Sequence, residues 1–268
     1  MASSPGSLAS LDGVITLASE ATIPATDEGL IRGDGVFEVV ALYDGQPFAF
    51  EEHLRRMERS AANLRLPLDL EAVTSDVWRL LAHVEPGPEH ALLRVVVTRG
   101  GRRLLLTEPA PAVPPVARLG SVTYSPTRVL DGVKSLSYGS NMLASRLARE
   151  RGFDEALLVT PHGRVLEAPT SSIFYVVDGE LLTPPLDEHI LASITRAMVL
   201  AATDASERAV TLDELLGADE AFLASTVREV QPVSAIDERS FDAPGPVTRR
   251  TAEVIERVIR ERLAEPAR

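Results

Sequence analysis

The stretch GVFEVVALYDGQPFAFEEHLRRMERSAANL, residues 35–64, contains the two periodicities from which the fold can be predicted. Its first nine residues, 35–43, are rich in β-branched and aromatic side chains and predict a strand, which Asp44-Gly45 turns into QPFAF. From about Glu51 onward, apolar residues recur at intervals of three and four, as in an amphipathic helix. These apolar positions are Phe50, Leu54, Met57, Ala61 and Leu64.

The residues on either side of this stretch extend the pattern to an N-terminal domain. DGVITL, residues 12–17, predicts a strand, and the apolar spacing over about 70–84 predicts a second helix. HALLRVVVTRGG, residues 90–101, predicts a strand that runs into a glycine turn. Four prolines then follow in TEPAPAVPPVARLG, too many for a helix or a central strand. The proline-rich segment therefore predicts a domain boundary.

The C-terminal half repeats the order of strands followed by helices. A helix is predicted over 139–152, and another, charged and amphipathic, over 246–264. Between them, the predicted elements are strands at DEALLVT (154–160), RVLEA (164–168) and AFLAS (221–225), a hairpin at SIFYVVDGELLT (172–183), and a helical segment over 188–203. We therefore predict an α+β chain with a smaller N-terminal domain (1–112), a linker (113–119) and a larger C-terminal domain (120–268), with a cleft between the domains.

Composition excludes several classes of function. With 45% apolar and 25% charged residues, the chain is typical of a soluble globular protein. It has no cysteine, which excludes disulfides, thiol nucleophiles and thiolate metal sites, and we predict no metal site. A net charge of -12 argues against nucleic acid or an anionic membrane as a partner. The N-terminus, MASSPGSLASLDG, lacks the features of a signal peptide, so we expect a cytoplasmic protein.

The balance of basic residues draws attention to one position. Of 27 basic side chains, 26 are arginine and only Lys134 is lysine. Arginine stays protonated, whereas a desolvated lysine amine can act as a nucleophile and form a Schiff base. Codon bias toward arginine explains the count equally well. The count therefore marks Lys134 as a candidate without assigning it a function.

Three short segments rich in hydroxyl groups lie next to predicted helices or strands. They are Thr170–Ser172, Ser193–Arg196 and Ser225-Thr226. Backbone N–H groups and hydroxyls at a helix start can bind an anion without a phosphate-binding glycine loop. Helix capping explains any single one of these segments better, because serine and threonine cap helices routinely. No dinucleotide-binding glycine pattern is present.

The order of these features resembles the fold-type IV (class IV) pyridoxal-phosphate aminotransferases. This family includes branched-chain and D-amino-acid transaminases, R-selective amine transaminases and aminodeoxychorismate lyases. Four segments in the family's order carry the resemblance: DEGLIRGDGVFEVVALYDGQPFAFEEHLRRMERSAANLRLP (27–67), KSLSYGSN through TSSIF (134–174), DGELLTPPLDEHILASITR (178–196) and STVREVQPV (225–233). The resemblance implies a two-domain fold-type IV fold, in which the larger C-terminal domain has a barrel-like β core and binds the cofactor.

The resemblance also implies roles for individual residues. Lys134 corresponds to the lysine that holds pyridoxal 5'-phosphate as an aldimine and later moves the proton between substrate and cofactor. Arg56 corresponds to the arginine that binds the phosphate, and Glu167 to the carboxylate that pairs with the pyridine nitrogen. Ile194 and Thr195 are expected to supply backbone amides to the phosphate. The whole implied cofactor set is Arg56, Lys134, Tyr138, Glu167, Ser171, Ser172, Ile194, Thr195, Ser225 and Thr226.

The residues expected to contact substrate depart from the patterns of single subfamilies. Phe37 stands where D-amino-acid enzymes have tyrosine, and their Arg-x-His motif is not reproduced around Arg102. Arg94 matches an arginine of the branched-chain pattern, but a structural ion pair is an equally good interpretation. The implied substrate set is Phe37, Arg94, Arg102, Thr226 and Val227.

Three functional hypotheses follow from the resemblance. The first is a transaminase that moves an amino group between a branched-chain or D-amino acid and a 2-oxo acid through Lys134. The second is aminodeoxychorismate lyase, which releases pyruvate to give 4-aminobenzoate with the same lysine. The third, a non-catalytic protein on the same fold, predicts the loss of Lys134, Arg56 or Glu167, and all three are present. The family also implies a homodimer.

Overall fold

The computed structural model describes residues 7–84 and 90–264, which divide into two units. The first unit contains the described residues up to Pro111 and also Gly132–Tyr138. The second unit contains Ala112–Asp131 and residues 139–264. The predicted domain ranges also include 1–6, 85–89 and 265–268, which lie outside the described residues.

A six-stranded antiparallel sheet organises the first unit. In spatial order its strands are β2, β1, β6, β5, β3 and β4. Their bounds are β1 Leu8–Leu11, β2 Val14–Leu17, β3 Gly35–Tyr43, β4 Gln46–Pro47, β5 His90–Thr98 and β6 Arg103–Pro109. The strand predicted at 35–43 is therefore correct and lies inside the sheet between β5 and β4.

Two amphipathic helices cover one face of this sheet. The helices of the first unit are α1 Glu28–Arg32, α2 Phe50–Leu64 and α3 Leu70–Leu81. Alternate residues of β3, among them Val36 and Val40, share a buried core with Met57 of α2 and Val77 of α3. Each such side chain stabilises the fold by roughly 1.5–3 kcal/mol on burial. The apolar residues that recur at helical spacing and those that alternate along the strand thus pack together in one core.

One local difference from prediction in this unit is at its start. The strand predicted at 12–17 is instead the turn and second strand of a hairpin formed by β1 and β2. Asp12 and Gly13 have φ angles of 53° and 84°, the left-handed conformation required for a tight hairpin turn. Strand β6 was also missed, because its last residues fall in the segment whose prolines predict a linker.

A second, eight-stranded sheet organises the second unit. Its main path is β11, β10, β9, β12, β13, β7 and β8, and β14 pairs with β13. The strands are β7 Ala117–Thr123, β8 Glu155–Val159, β9 Ser172–Val177, β10 Glu180–Thr183, β11 Ser206–Glu207, β12 Glu220–Ser225, β13 Glu229–Ile236 and β14 Arg239–Ser240. The helices are α4 Gly139–Glu150, α5 Ile194–Ala202, α6 Leu212–Leu216 and α7 Pro246–Ala264. Helices and sheet in both units confirm the α+β class.

Two predicted elements of the second unit need correction. The segment 164–168 does not form a continuous strand. Val165 makes an isolated β-bridge with Val159, and Ala168 makes another with Ser171 across the turn that follows. The helix predicted over 188–203 begins only at Ile194, because the Ser193 hydroxyl caps it by accepting the Arg196 amide.

In the sequence, segment 132–138 lies between residues of the second unit, but it belongs to the first unit and pairs with β3. The Lys134 carbonyl accepts the Phe37 amide at 3.1 Å, and Leu136 donates its amide to the Gly35 carbonyl at 2.9 Å. Ser135 forms an isolated bridge with Val36. Lys134 is therefore held by the strand that the opening stretch of sequence predicts. None of the helices in residues 7–84 and 90–264 is long and apolar enough to span a bilayer.

Candidate active site

Lys134 lies half-buried against two aromatic rings of the first unit. Its Nζ is 4.4 Å from the centroid of the Phe37 ring and 5.7 Å from that of Tyr138. The two rings themselves meet edge to face, with centroids 5.3 Å apart. Ring faces attract an ammonium group and shield it from water. The only lysine of the chain is thus placed in a defined environment rather than on an open loop.

The backbone of Lys134 is hydrogen-bonded at both its amide and its carbonyl. Its amide donates to the hydroxyl of Ser60, a fully buried residue of α2, at 3.1 Å. Its carbonyl accepts the Phe37 amide, as described above. Because both backbone groups are bonded to regular elements, the position of the side chain follows from β3 and α2 together.

Arg56 forms a buried ion pair with Glu38, a residue that the sequence analysis did not single out. Its Nε and Nη2 donate to Oε1 and Oε2 of Glu38 at 2.7 and 2.6 Å. Burial alone raises the pKa of Glu38, but hydrogen bonds and charge from Arg56, with a smaller effect of His53, hold that pKa at about 2. The pair is therefore ionised at neutral pH.

His53 is the third member of this group. Its Nδ1 lies 2.8 Å from Oε2 of Glu38, and its side chain is 2% exposed. Burial lowers the pKa of His53 and outweighs the opposite effect of Glu38, while the charges of Arg56 and Lys134 lower it further. A neutral imidazole donates to a carboxylate, which can only accept, so the proton lies on Nδ1.

The two arginines expected to bind substrate are engaged in ion pairs. Arg94 donates through Nε and Nη2 to the two carboxylate oxygens of Glu108, both at 2.9 Å. Arg102 donates to Asp12 at 2.6 Å. The structure thus shows Arg94 in an ion pair, and a substrate carboxylate would have to displace Glu108 to reach Arg94. Phe37 lies on the same sheet face as Arg94, two cross-strand pairs away.

Glu167 follows the bridge between β8 and Val165 in the second unit. Its Oε1 accepts the backbone amide of Leu191 at 3.2 Å, and its carbonyl accepts the amide of Leu158. The side chain is half-buried, so the residue is not the exposed surface charge that an isolated glutamate usually is. The Leu191 amide orients the carboxylate.

The predicted hydroxyl residues meet at one end of the second sheet. Strands β9 and β12 are antiparallel, and Ser172 pairs with Ala224, so the start of one strand lies beside the end of the other. This register brings Ser171 and Ser172 next to Ser225, with Thr226 and Val227 following in the turn. The Ser225 hydroxyl accepts the Arg228 amide at 3.3 Å.

Two of these hydroxyls are buried without a partner. Ser171 and Ser172 are 5% and 1% exposed, and neither Oγ has a hydrogen-bond partner among the described residues. Orphaned buried hydroxyls are rare and destabilising, so these two are free to donate to a bound polar group. Both residues were predicted from the sequence to bind cofactor.

Ile194 and Thr195 are the first two residues of α5, which contacts β12. The first amides of a helix have no partner within the helix and carry the positive end of its dipole. The third amide, of Arg196, is already used by Ser193, which leaves the first turn in a fixed geometry. Such a helix start suits an anion.

The structure therefore groups the predicted residues within each unit and adds new ones. Lys134, Tyr138, Phe37 and Arg56 belong to the first unit; Glu167 and the hydroxyl and amide groups belong to the second. Sequence reasoning missed Glu38, His53 and Ser60. The spacing of His53, Arg56 and Ser60, three and four residues apart, was a signal that these polar residues share one helix face.

The chain is similar to known aminotransferases in sequence and in fold. The family model "Amino-transferase class IV" matches residues 35–236. The chain is 35% identical over 254 residues to a Methanocaldococcus jannaschii protein provisionally named a branched-chain-amino-acid aminotransferase, covering 85% of this chain and 88% of the other. It is 31% identical over 262 residues to a D-alanine aminotransferase of Bacillus licheniformis, covering 89% and 92%. A fold IV transaminase from Curtobacterium pusillum superposes with a TM-score of 0.84 at 29% identity, covering 96% and 100%. The fold-type IV prediction is confirmed.

Proposed function

Because the chain belongs to the class IV aminotransferase family, we propose that it transfers the amino group of a branched-chain or D-amino acid to a 2-oxo acid. Enzymes of this family depend on pyridoxal phosphate, whose ring withdraws electrons from the substrate Cα. One observation carries the proposal for this chain. Its only lysine lies against two aromatic rings, and its backbone is hydrogen-bonded to β3 and α2.

The residues of the second unit fit the phosphate and ring of this cofactor. The unpartnered Ser171 and Ser172 hydroxyls and the amides of Ile194 and Thr195 are suitable donors to a phosphate. We assign Ser225 and Thr226 to the same group, because they lie at the same end of the sheet. Glu167 is assigned to the pyridine nitrogen, where its carboxylate would hold a proton.

The residues of the first unit fit the phosphate and the reacting amine. Arg56 is assigned to the phosphate, since a guanidinium fork matches a doubly charged anion. Lys134 is assigned to the Schiff base and to the transfer of the proton at the substrate Cα. Tyr138 is assigned to the ring hydroxyl, and its ring contacts Phe37 edge to face next to the lysine amine.

Substrate contacts are proposed for Phe37 and for the turn residues Thr226 and Val227. Arg94 and Arg102 remain candidates for a substrate carboxylate only through exchange with Glu108 and Asp12, their present partners. The relatives reported above are named for branched-chain amino acids and for D-alanine, so their names support both donor classes. None of them is named a lyase.

We also propose that the protein is a cytoplasmic homodimer. The family resemblance supports the dimer, and the chain has no cysteine that would need an oxidising compartment to form a disulfide. On α4, Leu143 and Leu147 lie one turn apart and are 49% and 41% exposed. Sedimentation equilibrium of the purified protein measures the assembly directly.

The donor class is tested by a half-reaction with amino acids alone. We expect L-branched-chain or D-amino acids to convert the bound cofactor from its aldehyde to its amine form, which is followed by absorbance. A full panel of both chiralities, with aminodeoxychorismate as a separate arm, distinguishes the hypotheses. An unchanged spectrum with every amino acid, together with pyruvate release from aminodeoxychorismate, would replace the transaminase by the lyase.

Glu167→Gln tests the pairing with the pyridine nitrogen. The amide retains the shape but not the charge that holds a proton there, so turnover is expected to fall roughly 10- to 100-fold, the value of a charge-assisted hydrogen bond. The cofactor should remain bound, because the phosphate contacts are unchanged. The control is Glu180→Gln, an exposed carboxylate on β10 of the same unit. Equal turnover in both variants would remove Glu167 from the site.

A further inference from the structure

One face of α2 carries three buried polar residues at helical spacing, His53, Arg56 and Ser60. They are 2%, 5% and 0% exposed. All three form hydrogen bonds to other elements of the first unit: His53 and Arg56 to Glu38 of β3, and Ser60 to the amide of Lys134. The polar residues on this face of α2 thus contact β3 and the lysine segment, and Arg56 bonds to Glu38 through its Nε and Nη2.

Glu38 is the centre of this group, because both of its carboxylate oxygens are used. Oε1 accepts from Nε of Arg56, while Oε2 accepts from Nη2 of Arg56 and from Nδ1 of His53. The two parallel bonds to Arg56 define the plane of the guanidinium group. The bond from His53 in turn restricts the carboxylate, so the orientation of Arg56 is set by two residues rather than by one.

We propose that Glu38 and His53 are positioning residues that hold Arg56 in the orientation in which it binds the cofactor phosphate. This inference rests on the proposed role of Arg56. A free arginine side chain loses rotamer freedom when it binds an anion, and prior fixation removes that cost from the binding step. Neither residue contacts the phosphate in this proposal; both act through Arg56.

A second physical effect of Glu38 has the opposite sign, which makes the proposal testable. The carboxylate also cancels the charge of Arg56, and charge cancellation alone weakens the attraction for a phosphate. If cancellation dominated, replacement of Glu38 by a neutral residue would strengthen cofactor binding. If positioning dominates, the same replacement weakens it.

The experiment is a double-mutant cycle read as the affinity of the apoprotein for pyridoxal phosphate. Glu38→Gln alone is expected to weaken binding roughly 10- to 100-fold. In an Arg56→Ala background, Glu38→Gln should change the affinity by less than about threefold, because there is no arginine left to position. Inorganic phosphate, titrated as a competitor, should show the same pattern and reports on the phosphate site without any catalysis.

His53 is tested by a conservative rescue. His53→Asn retains a donor near the position of Nδ1 and is expected to keep affinity within about threefold of the original protein, whereas His53→Ala should weaken it by roughly tenfold. Equal weakening by both variants would show that the imidazole is needed for packing alone. That result would overturn the role assigned to His53.

The other outcomes for Glu38→Gln and Arg56→Ala also test the positioning role of Glu38. Unchanged or tighter binding by Glu38→Gln overturns the inference, as does a loss that persists in the Arg56→Ala background, which would make Glu38 merely structural. If Glu38→Gln fails to fold, Glu38→Asp keeps the charge but withdraws the carboxylate, and weaker binding is again expected. If Arg56→Ala itself binds normally, the proposed function of Arg56 fails first, and the two failures are thereby distinguished.

Discussion

Lys134→Ala is expected to abolish amino transfer while the protein stays folded. General acid–base catalysis by a positioned side chain contributes about 10²- to 10⁴-fold, and loss of the covalent attachment adds to this, so we expect turnover to fall at least about 10⁴-fold. The fold should survive, because the β3 pairing of this segment uses backbone groups that alanine keeps. Turnover, measured with saturating donor, and thermal unfolding are the two measurements.

The matched control for this prediction is Lys134→Arg. It keeps a positive charge over the Phe37 ring but provides no amine that can lose its proton and form a Schiff base. Both variants should therefore be inactive, and neither should form an adduct on treatment with pyridoxal phosphate and borohydride at this site. Since no other lysine exists, the original protein has one side-chain amine for this reaction. Wild-type turnover in Lys134→Ala without added amine would contradict the assignment of Lys134 to the Schiff base.

Arg56→Ala is expected to weaken cofactor binding by about 2–5 kcal/mol, the cost of truncating one partner of a charge-assisted contact. This corresponds to roughly 30- to several thousand-fold in the dissociation constant. The measurement is retention of pyridoxal phosphate during dialysis, followed by titration of the apoprotein. Arg55→Ala is the matched control, because Arg55 is the next residue on α2 and its side chain is 59% exposed.

Removal of Arg56 also leaves Glu38 buried with His53 alone. Arg56 is the main cause of the lowered pKa of Glu38, so this pKa rises in the variant and the free energy of unfolding decreases. Arg56→Lys retains a charge next to Glu38 and separates this loss of stability from the loss of phosphate affinity. Unchanged cofactor retention in a folded Arg56→Ala variant would contradict the phosphate assignment.

Local periodicity predicted the longer strand β3 and the helices α2 and α3 of the first unit, because each of these elements buries one face. The alternation in 35–43 and the three-four spacing from Phe50 to Leu64 both arise from packing into a single core, and both elements were found within a residue or two. The α1 helix was missed because it has no buried residue and hence no periodic apolar face.

Prediction was poorer where strands pair over long distances. β7 lies between β13 and β8, parallel to both, and its first residues were predicted as linker. Its neighbours are distant in sequence, and nothing within the proline-rich segment itself indicates them. Likewise, the sequence pattern predicts no strand at β13, although β13 follows β12 after a short turn. Its Pro232 pairs with Phe222, a position for proline that sequence patterns disfavour.

Residue type and motif order are enough to single out the residues to which we assign the chemistry. A single lysine, an arginine within α2 and a glutamate in the segment after β8 are identifiable by residue type and by the order of their motifs. The side chains that support these residues become visible only in the folded chain. Glu38 and Arg56 are 18 residues apart, and Ser60 and Lys134 are 74 apart. Such contacts depend on how β3, α2 and the lysine segment pack against one another, and local propensity carries no information about that packing.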